Sequence, residues 1–276
     1  MRERPEVDLA VAVEGTAVAY SCDESVLEDH IERESARLIA ALRTNGRRNP
    51  FGISTVALMA GMGQREEDRT EDEYRHEVKT WAAACRTRWT AALDAVAAVL
   101  TAPATMTITN RELAFLEDVE VEVHLEGPVR GLRPVSRKSF AAYDLLPSPP
   151  RTWGPWVDRG MFSVPSLASS YAYMPSVTSL PSVNFRNGGS VNIEVHVGDL
   201  RPRQVYRTDE DELALVVDEE GLPELRGTWK ITARGHHAVH EGGLMVPIEH
   251  RDVTAVMERL LRRLRKEDVD DGEKDS

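Results

Sequence analysis

The chain has 276 residues, of which 41% are hydrophobic, so it is long enough to bury one large core or two smaller ones. Its net charge of −12 argues against a general affinity for nucleic-acid backbones. No apolar run reaches the roughly 18 residues of a membrane span, and the charged start at Met1 lacks the apolar segment of a secretory signal, so we expect no membrane span and a cytoplasmic location.

The amino-terminal part of the chain predicts a hairpin followed by a helix. Apolar residues alternate over residues 6–13, and Gly15-Thr16 can turn the chain back into residues 17–20. A helix is then predicted from Asp23 to about Arg43.

A basic cluster follows this helix, with the sequence Arg43-Thr-Asn-Gly-Arg-Arg48. We interpret it as cations that complement the negative end of the helix. The alternative is a sensor that binds nucleic acid or nucleotide through this patch. The glycine-bearing stretch at 51–63 lacks the Gly-Lys-Ser/Thr ending of a P-loop and is interpreted as a hydrophobic loop or short helix.

A long amphipathic helix is predicted from Glu71 to Leu100. Apolar residues recur there at steps of three and four, and Thr70 with Glu73 forms a capping-box pattern. Cys85 lies on the apolar stripe, so we interpret it as a buried hydrophobic residue rather than a nucleophile.

The residues after this helix predict strands. Residues 105–109 form a short one, and residues 118–127 alternate valine and leucine with glutamate and histidine, which is typical of an antiparallel strand with one face in water. Glu120, Glu122 and Glu126 are therefore interpreted as solvated residues rather than a catalytic cluster. Four more strands are predicted at 190–197, 212–217, 227–234 and 243–248.

The interval 130–189 is rich in proline and serine and carries several large aromatic residues. These aromatic side chains either fasten the loop onto the domain or form a partner-binding surface, because exposed aromatic residues anchor interfaces. An amphipathic helix is predicted over 252–266, followed by an acidic, disordered tail. The predicted partner-binding residues from the loop and this helix are Trp153, Trp156, Phe162, Tyr171, Tyr173, Leu260 and Leu264.

One histidine cluster is a candidate metal site. His236, His237 and His240 lie in the predicted turn between two strands, and imidazoles at this spacing are able to bind Zn²⁺. The pattern is not HExxH on a helix, so a surface hairpin is the main interpretation and a metal-dependent hydrolase is the alternative. No other cofactor is predicted.

Several motifs are similar to those of an uncharacterised bacterial module that is often found C-terminal to predicted DNA-binding or defence-associated domains. The resemblance covers roughly residues 1–250 and is carried by Thr70-Glu-Asp-Glu-Tyr-Arg-His-Glu-Val, Thr107-Ile-Thr-Asn110, Leu116-Glu-Asp-Val-Glu-Val-Glu-Val-His-Leu125, Gly127-Pro128 and Val195-His-Val-Gly-Asp-Leu-Arg-Pro202. It implies an immunoglobulin-like sandwich and an accessory role, and it implies no catalytic residues.

The sequence therefore predicts an α+β protein: an antiparallel, immunoglobulin-like β-sandwich with a long helix, an amino-terminal hairpin and helix, and a carboxyl-terminal amphipathic helix. The expected divisions are 1–69, 70–250 and 251–276. The expected function is a non-enzymatic interaction or accessory module that binds a protein partner or a second copy of itself, in a bacterial defence or regulatory system.

Overall fold

The computed structural model describes residues 8–45, 64–111, 113–134, 145–157, 183–218, 221–236 and 239–273. The chain forms two compact units. Unit 1 comprises Met1–Asp23, Ala91–Ala141 and Ser179–Arg262, and unit 2 comprises Glu24–Thr90, Ala142–Thr178 and Arg263–Ser276. The predicted loop at 51–63 lies outside the described residues.

The long helices of the described residues are α1 (Ser25–Asn45), α2 (Glu71–Leu100) and α3 (Thr254–Glu273). The prediction for α2 is confirmed, as is its capping box. The backbone N–H of Thr70 donates to Glu73 Oε2 at 2.7 Å, and the N–H of Glu73 donates to Thr70 Oγ1 at 3.3 Å. These reciprocal bonds satisfy donors that the first helical turn leaves without a partner.

The described strands are β1 (Leu9–Glu14), β2 (Ala17–Ser21), β3 (Gln64–Arg65), β4 (Thr105–Asn110), β5 (Leu116–Leu125), β6 (Val129–Leu132), β7 (Trp156–Val157), β8 (Val183–Asn187), β9 (Val191–Leu200), β10 (Val205–Arg207), β11 (Ala214–Val217), β12 (Glu224–Arg234) and β13 (His240–Asp252). In unit 1 they form an eight-stranded sheet in the order β6-β11-β2-β13-β12-β5-β9-β8 and a three-stranded sheet in the order β1-β4-β10. In unit 2, β3 and β7 form a two-stranded sheet.

The predicted antiparallel immunoglobulin-like sandwich is wrong. The eight strands form one nearly closed, barrel-like sheet, and β2 runs parallel to both of its neighbours, β11 and β13. The predicted amino-terminal hairpin is also wrong, because β1 pairs with β4 in the small sheet. Gly15, at φ +102°, lies between β1 and β2, where the chain passes from one sheet to the other.

Burial on both faces explains why β2 takes a central position. Its residues Ala17 and Ala19 join the barrel core, whereas Val18 packs on the other face with Ala97 and Ala98 of α2. Strands with parallel neighbours are typically covered on both faces. The small sheet contributes its inner residues to the same core as the barrel, including Val11, Met106 and Ile108.

Side chains join the two edge strands of the barrel, β6 and β8. The Asn187 side chain accepts a hydrogen bond from the Gly131 N–H at 2.9 Å and donates one to the Gly131 carbonyl at 3.1 Å. Arg133 Nη2 donates to the Val183 carbonyl at 2.6 Å. These bonds satisfy edge backbone groups that a neighbouring strand would otherwise pair.

Close packing where β6 meets β8, called the seam here, predicts that one added methyl group lowers the stability of the fold. A Cβ on Gly131 would lie 2.4 Å from Cδ1 of the Phe185 ring, so Gly131→Ala is expected to lower the free energy of unfolding by about 1–3 kcal/mol. Gly188→Ala is the matched control, because nothing lies within 4 Å of its added Cβ. Urea denaturation of both variants measures the effect, and equal stabilities would show that the seam is loosely packed.

Unit 2 contains an ion-pair network around Glu67, whose side chain is 12% exposed. Glu67 accepts hydrogen bonds from Arg69 Nε at 2.7 Å, Arg151 Nη2 at 3.1 Å and the Gly154 N–H at 2.8 Å. Burial by itself would raise the pKa of Glu67, but the hydrogen bonds from Arg69 and Gly154 outweigh it and hold this pKa at about 2. The carboxylate therefore stays ionised and joins residues 67–69 to residues 151–154.

Candidate functional site

The strongest candidate site in unit 1 is the outer edge of β10, called the free edge below because no strand of the described residues pairs with it. The Asn110 N–H donates to the Gln204 carbonyl at 3.0 Å, and the Thr208 N–H donates to the Met106 carbonyl at 3.0 Å. In an antiparallel pair, hydrogen-bonded and non-hydrogen-bonded positions alternate. Residues 204, 206 and 208 thus face β4, and the N–H and C=O groups of Val205 and Arg207 face away from it.

No described strand pairs with this outer edge of β10. An unpaired edge presents donors and acceptors in the spacing that another extended chain requires. This arrangement is able to bind the backbone of another extended segment, which would add one more strand beside β10.

Asn110 positions the two loops beside β10. Its side chain is fully buried, and its Nδ2 donates to the carbonyl of Ala114 at 2.8 Å, of Arg201 at 3.2 Å and of Leu200 at 3.5 Å. The loop between β4 and β5 is therefore bound to the turn between β9 and β10. Both loops lie at the end of β4 that pairs with Val205.

Large apolar side chains are exposed on the loop between β4 and β5 and on the edge strand β10. The exposed fraction is 73% for Leu113, 46% for Phe115 and 48% for Val205. We define Leu113, Phe115, Val205 and Arg207 as the β10 edge surface. The sequence does not predict this surface, because residues 110–117 lie between two predicted strands and no strand is predicted at 205–207. The detectable signal was a pair of large apolar residues in a predicted loop.

Trp153, a predicted partner-binding residue, packs within unit 2. Its ring lies 5.4 Å from that of Tyr74, against a cluster that includes Leu38, Leu42 and Val78. Trp81 Nε1 donates to the Pro147 carbonyl at 2.9 Å. The described part of the proline-rich interval, residues 145–157, is thus fastened to unit 2.

The other predicted partner-binding residues are distributed as follows. The backbone of Trp156 pairs with Arg65, and Phe162, Tyr171 and Tyr173 lie outside the described residues. On α3, Leu260 and Leu264 are half-buried, whereas Met257 and Leu261 are buried. A partner-binding role for these residues stays a prediction.

The histidine cluster occupies the connection between β12 and β13. His240 pairs with Ile231 at the start of β13, His236 precedes it in the turn, and His237 lies outside the described residues. Among the residues that the structure describes, no three His, Cys, Asp or Glu side chains are arranged to hold a metal ion. The hydrolase alternative stays a prediction that rests on sequence alone.

The remaining residues considered in the sequence are the glutamates of β5, Cys85 and the basic cluster after α1. Glu120, Glu122 and Glu126 are exposed on β5 and beside it, as predicted for the polar face of a strand. Cys85 is fully buried, and burial raises the pKa of its thiol to about 11, which disfavours the reactive thiolate. Arg43 lies in the last turn of α1, and Arg47 and Arg48 lie outside the described residues.

A polar cluster in unit 1 joins α2 to the barrel. The hydroxyl of Tyr20 and the Nη2 of Arg130 each donate to Asp94 Oδ1 at 2.8 Å, and Arg130 also binds Asp218. Burial and the hydrogen bond to Asp94 raise the pKa of Tyr20, so its hydroxyl stays protonated. The cluster positions the end of α2 through paired charges.

No protein-family model matches the chain, and no curated protein matches it. The chain is similar to a solved structure of AvmM, described as catalysing macrocyclization in alchivemycin A biosynthesis, at 10% identity and a TM-score of 0.19, over 52% of this chain and 78% of that one. Among the described helices, none has the length and apolar character needed to cross a membrane.

Proposed function

We propose that this protein is an interaction module that binds an extended segment of a partner protein by strand addition along β10. The observation that carries the proposal is that the backbone groups of Val205 and Arg207 face away from β4, on an edge that no described strand covers. Main-chain hydrogen bonds give affinity in this mode of recognition, and alternate side chains of the added strand give specificity.

Exposed apolar side chains favour a binding edge over a protected one. Proteins protect edge strands with charges, proline or a covering element. β10 is short and carries Arg207, but Val205 on the same strand is 48% exposed and Leu113 in the adjacent loop is 73% exposed. Apolar residues beside an open edge bury their surface only when a partner covers them.

The accessory role implied by the sequence resemblance is part of this proposal. A module without its own chemistry would position a partner protein in a defence or regulatory system, and the cytoplasmic location predicted from the sequence is compatible with it. The aromatic residues of the proline-rich interval would supply a second contact.

Hydrogen exchange tests the free edge directly. In the free protein, the amides of Val205 and Arg207 are expected to exchange fast, whereas those of Tyr206 and Thr208, which face β4, exchange slowly. Adding a nonapeptide that alternates valine and threonine is expected to protect the first two amides. Slow exchange at all four positions in the free protein, or unchanged exchange with the peptide, would contradict the proposal.

A proline variant separates edge binding from side-chain contact. Val205→Pro removes one outward N–H but no bond to β4, so peptide affinity is expected to fall by about tenfold while the fold is kept. Val205→Thr keeps the N–H and the branched shape and is the matched control, with a smaller loss. Equal affinities of the two variants would argue against strand addition.

A further inference from the structure

We infer that the segment that adds to β10 lies antiparallel to it and is basic at its amino-terminal end and acidic at its carboxyl-terminal end. This inference rests on the proposed function and names the partner by its charge. It is drawn from the distribution of charged residues before and after β10.

The chain before β10 is basic. Arg201 and Arg203 are exposed in the turn that leads into the strand, and neither forms an ion pair with another described residue. Arg111, which follows β4, lies at the same end, and its ion pair with Asp8 is long, at 3.9 Å. Arg207 is the last residue of β10 and pairs with Glu14 at 3.5 Å. In a chain with a net charge of −12, exposed arginines at one end of a free strand favour carboxylates on a ligand.

The backbone of Arg203 provides a second observation. Its φ is +58°, in the left-handed region where glycine or asparagine is favoured. Residues in such conformations cluster at ligand-binding sites, and this tendency supports a role for Arg203. Arg203 is exposed two residues before β10 begins.

The chain after β10 is acidic. Asp209, Glu210 and Asp211 are all exposed in the turn that follows Thr208. These carboxylates would repel acidic residues of a ligand and attract basic ones. The segment that precedes β10 and the segment that follows it therefore carry opposite charges.

The added strand is placed antiparallel to β10, because antiparallel pairs outnumber parallel ones roughly two- to three-fold. An antiparallel segment places its carboxyl-terminal end beside Arg201 and Arg203. Its amino-terminal end then lies beside residues 209–211.

Two nonapeptides of identical composition test the inference. The forward peptide is Lys-Lys-Val-Thr-Val-Thr-Val-Glu-Glu and the reversed peptide is Glu-Glu-Val-Thr-Val-Thr-Val-Lys-Lys, both with neutral capped ends. The forward peptide is expected to bind about tenfold more tightly at low salt, and the difference is expected to shrink at about 0.5 M salt, where the screening length falls to a few ångströms.

Variants of the turn separate charge from stability. Arg203→Glu is expected to remove most of the preference, whereas Arg88→Glu, the same charge change at an exposed position of α2, keeps it. Arg203→Asn removes the charge and relieves the strained backbone, so it is expected to weaken the preference without lowering the melting temperature.

Equal binding of both peptides, or tighter binding of the reversed one, would overturn the inference. If both peptides still protect the amides of Val205 and Arg207, strand addition itself stands. If neither peptide protects them, the proposed function is wrong and the inference falls with it.

Discussion

Replacing Glu67 by glutamine is expected to lower the free energy of unfolding at pH 7 by about 3 kcal/mol, because a pKa moved from 4.5 to about 2 corresponds to roughly that much interaction energy in the ionised form. Glu67 binds Arg69, Arg151 and the Gly154 N–H at once. Glutamine keeps the shape of the side chain but removes the charge that these donors require.

The pH dependence of this loss identifies its cause. The pKa of Glu67 is lower in the folded chain than in the unfolded one, so its contribution is complete above about pH 4.5 and is lost as the pH falls through about 2. Urea denaturation of the native and Glu67→Gln proteins is expected to show a difference that is full at pH 7 and approaches zero near pH 2.

Asp68 supplies the matched control for this experiment. Its carboxylate also binds Arg151, at 2.7 Å, but its side chain is 70% exposed. Asp68→Asn is therefore expected to change stability by less than about 1 kcal/mol. A difference between Glu67→Gln and native protein that does not vary with pH would show that packing, rather than charge, is responsible.

Asn110→Leu is expected to lower the free energy of unfolding by about 3 kcal/mol, because carbonyl groups in a buried region lose their donor. The side chain donates to Ala114, Leu200 and Arg201 and is fully buried. Asn110 joins the β4–β5 loop to the β9–β10 turn, so the substitution is also expected to weaken peptide binding.

Two further variants examine this role of Asn110. Asn110→Asp keeps the size but directs a carboxylate at carbonyl oxygens, so it is expected to destabilise at least as much as leucine. The control is Asn184→Leu, the same substitution at an exposed position of β8, which is expected to change stability by less than about 0.5 kcal/mol. Native-like stability of Asn110→Asp would show that the side chain does not act as a donor.

The sequence by itself determined which residues form most helices and strands and which faces they bury. The stripe and capping box of α2 predicted its two ends, and the alternation in β5 predicted buried valines and exposed glutamates. These features are local. The period of apolar residues depends only on the geometry of one helix or strand, so the amino-acid sequence is sufficient to predict them.

Only the tertiary structure decided which strands are neighbours. Alternation reports that one face is buried but not what lies beside the strand, so the sequence did not show that β2 lies parallel to β11 and β13 or that β1 leaves it for β4. The pairing of β10 with β4 and the hydrogen bonds of Asn110 to residues 200 and 201 also join parts of the chain about ninety positions apart. Such contacts depend on how the whole chain closes, which no local pattern of residues encodes.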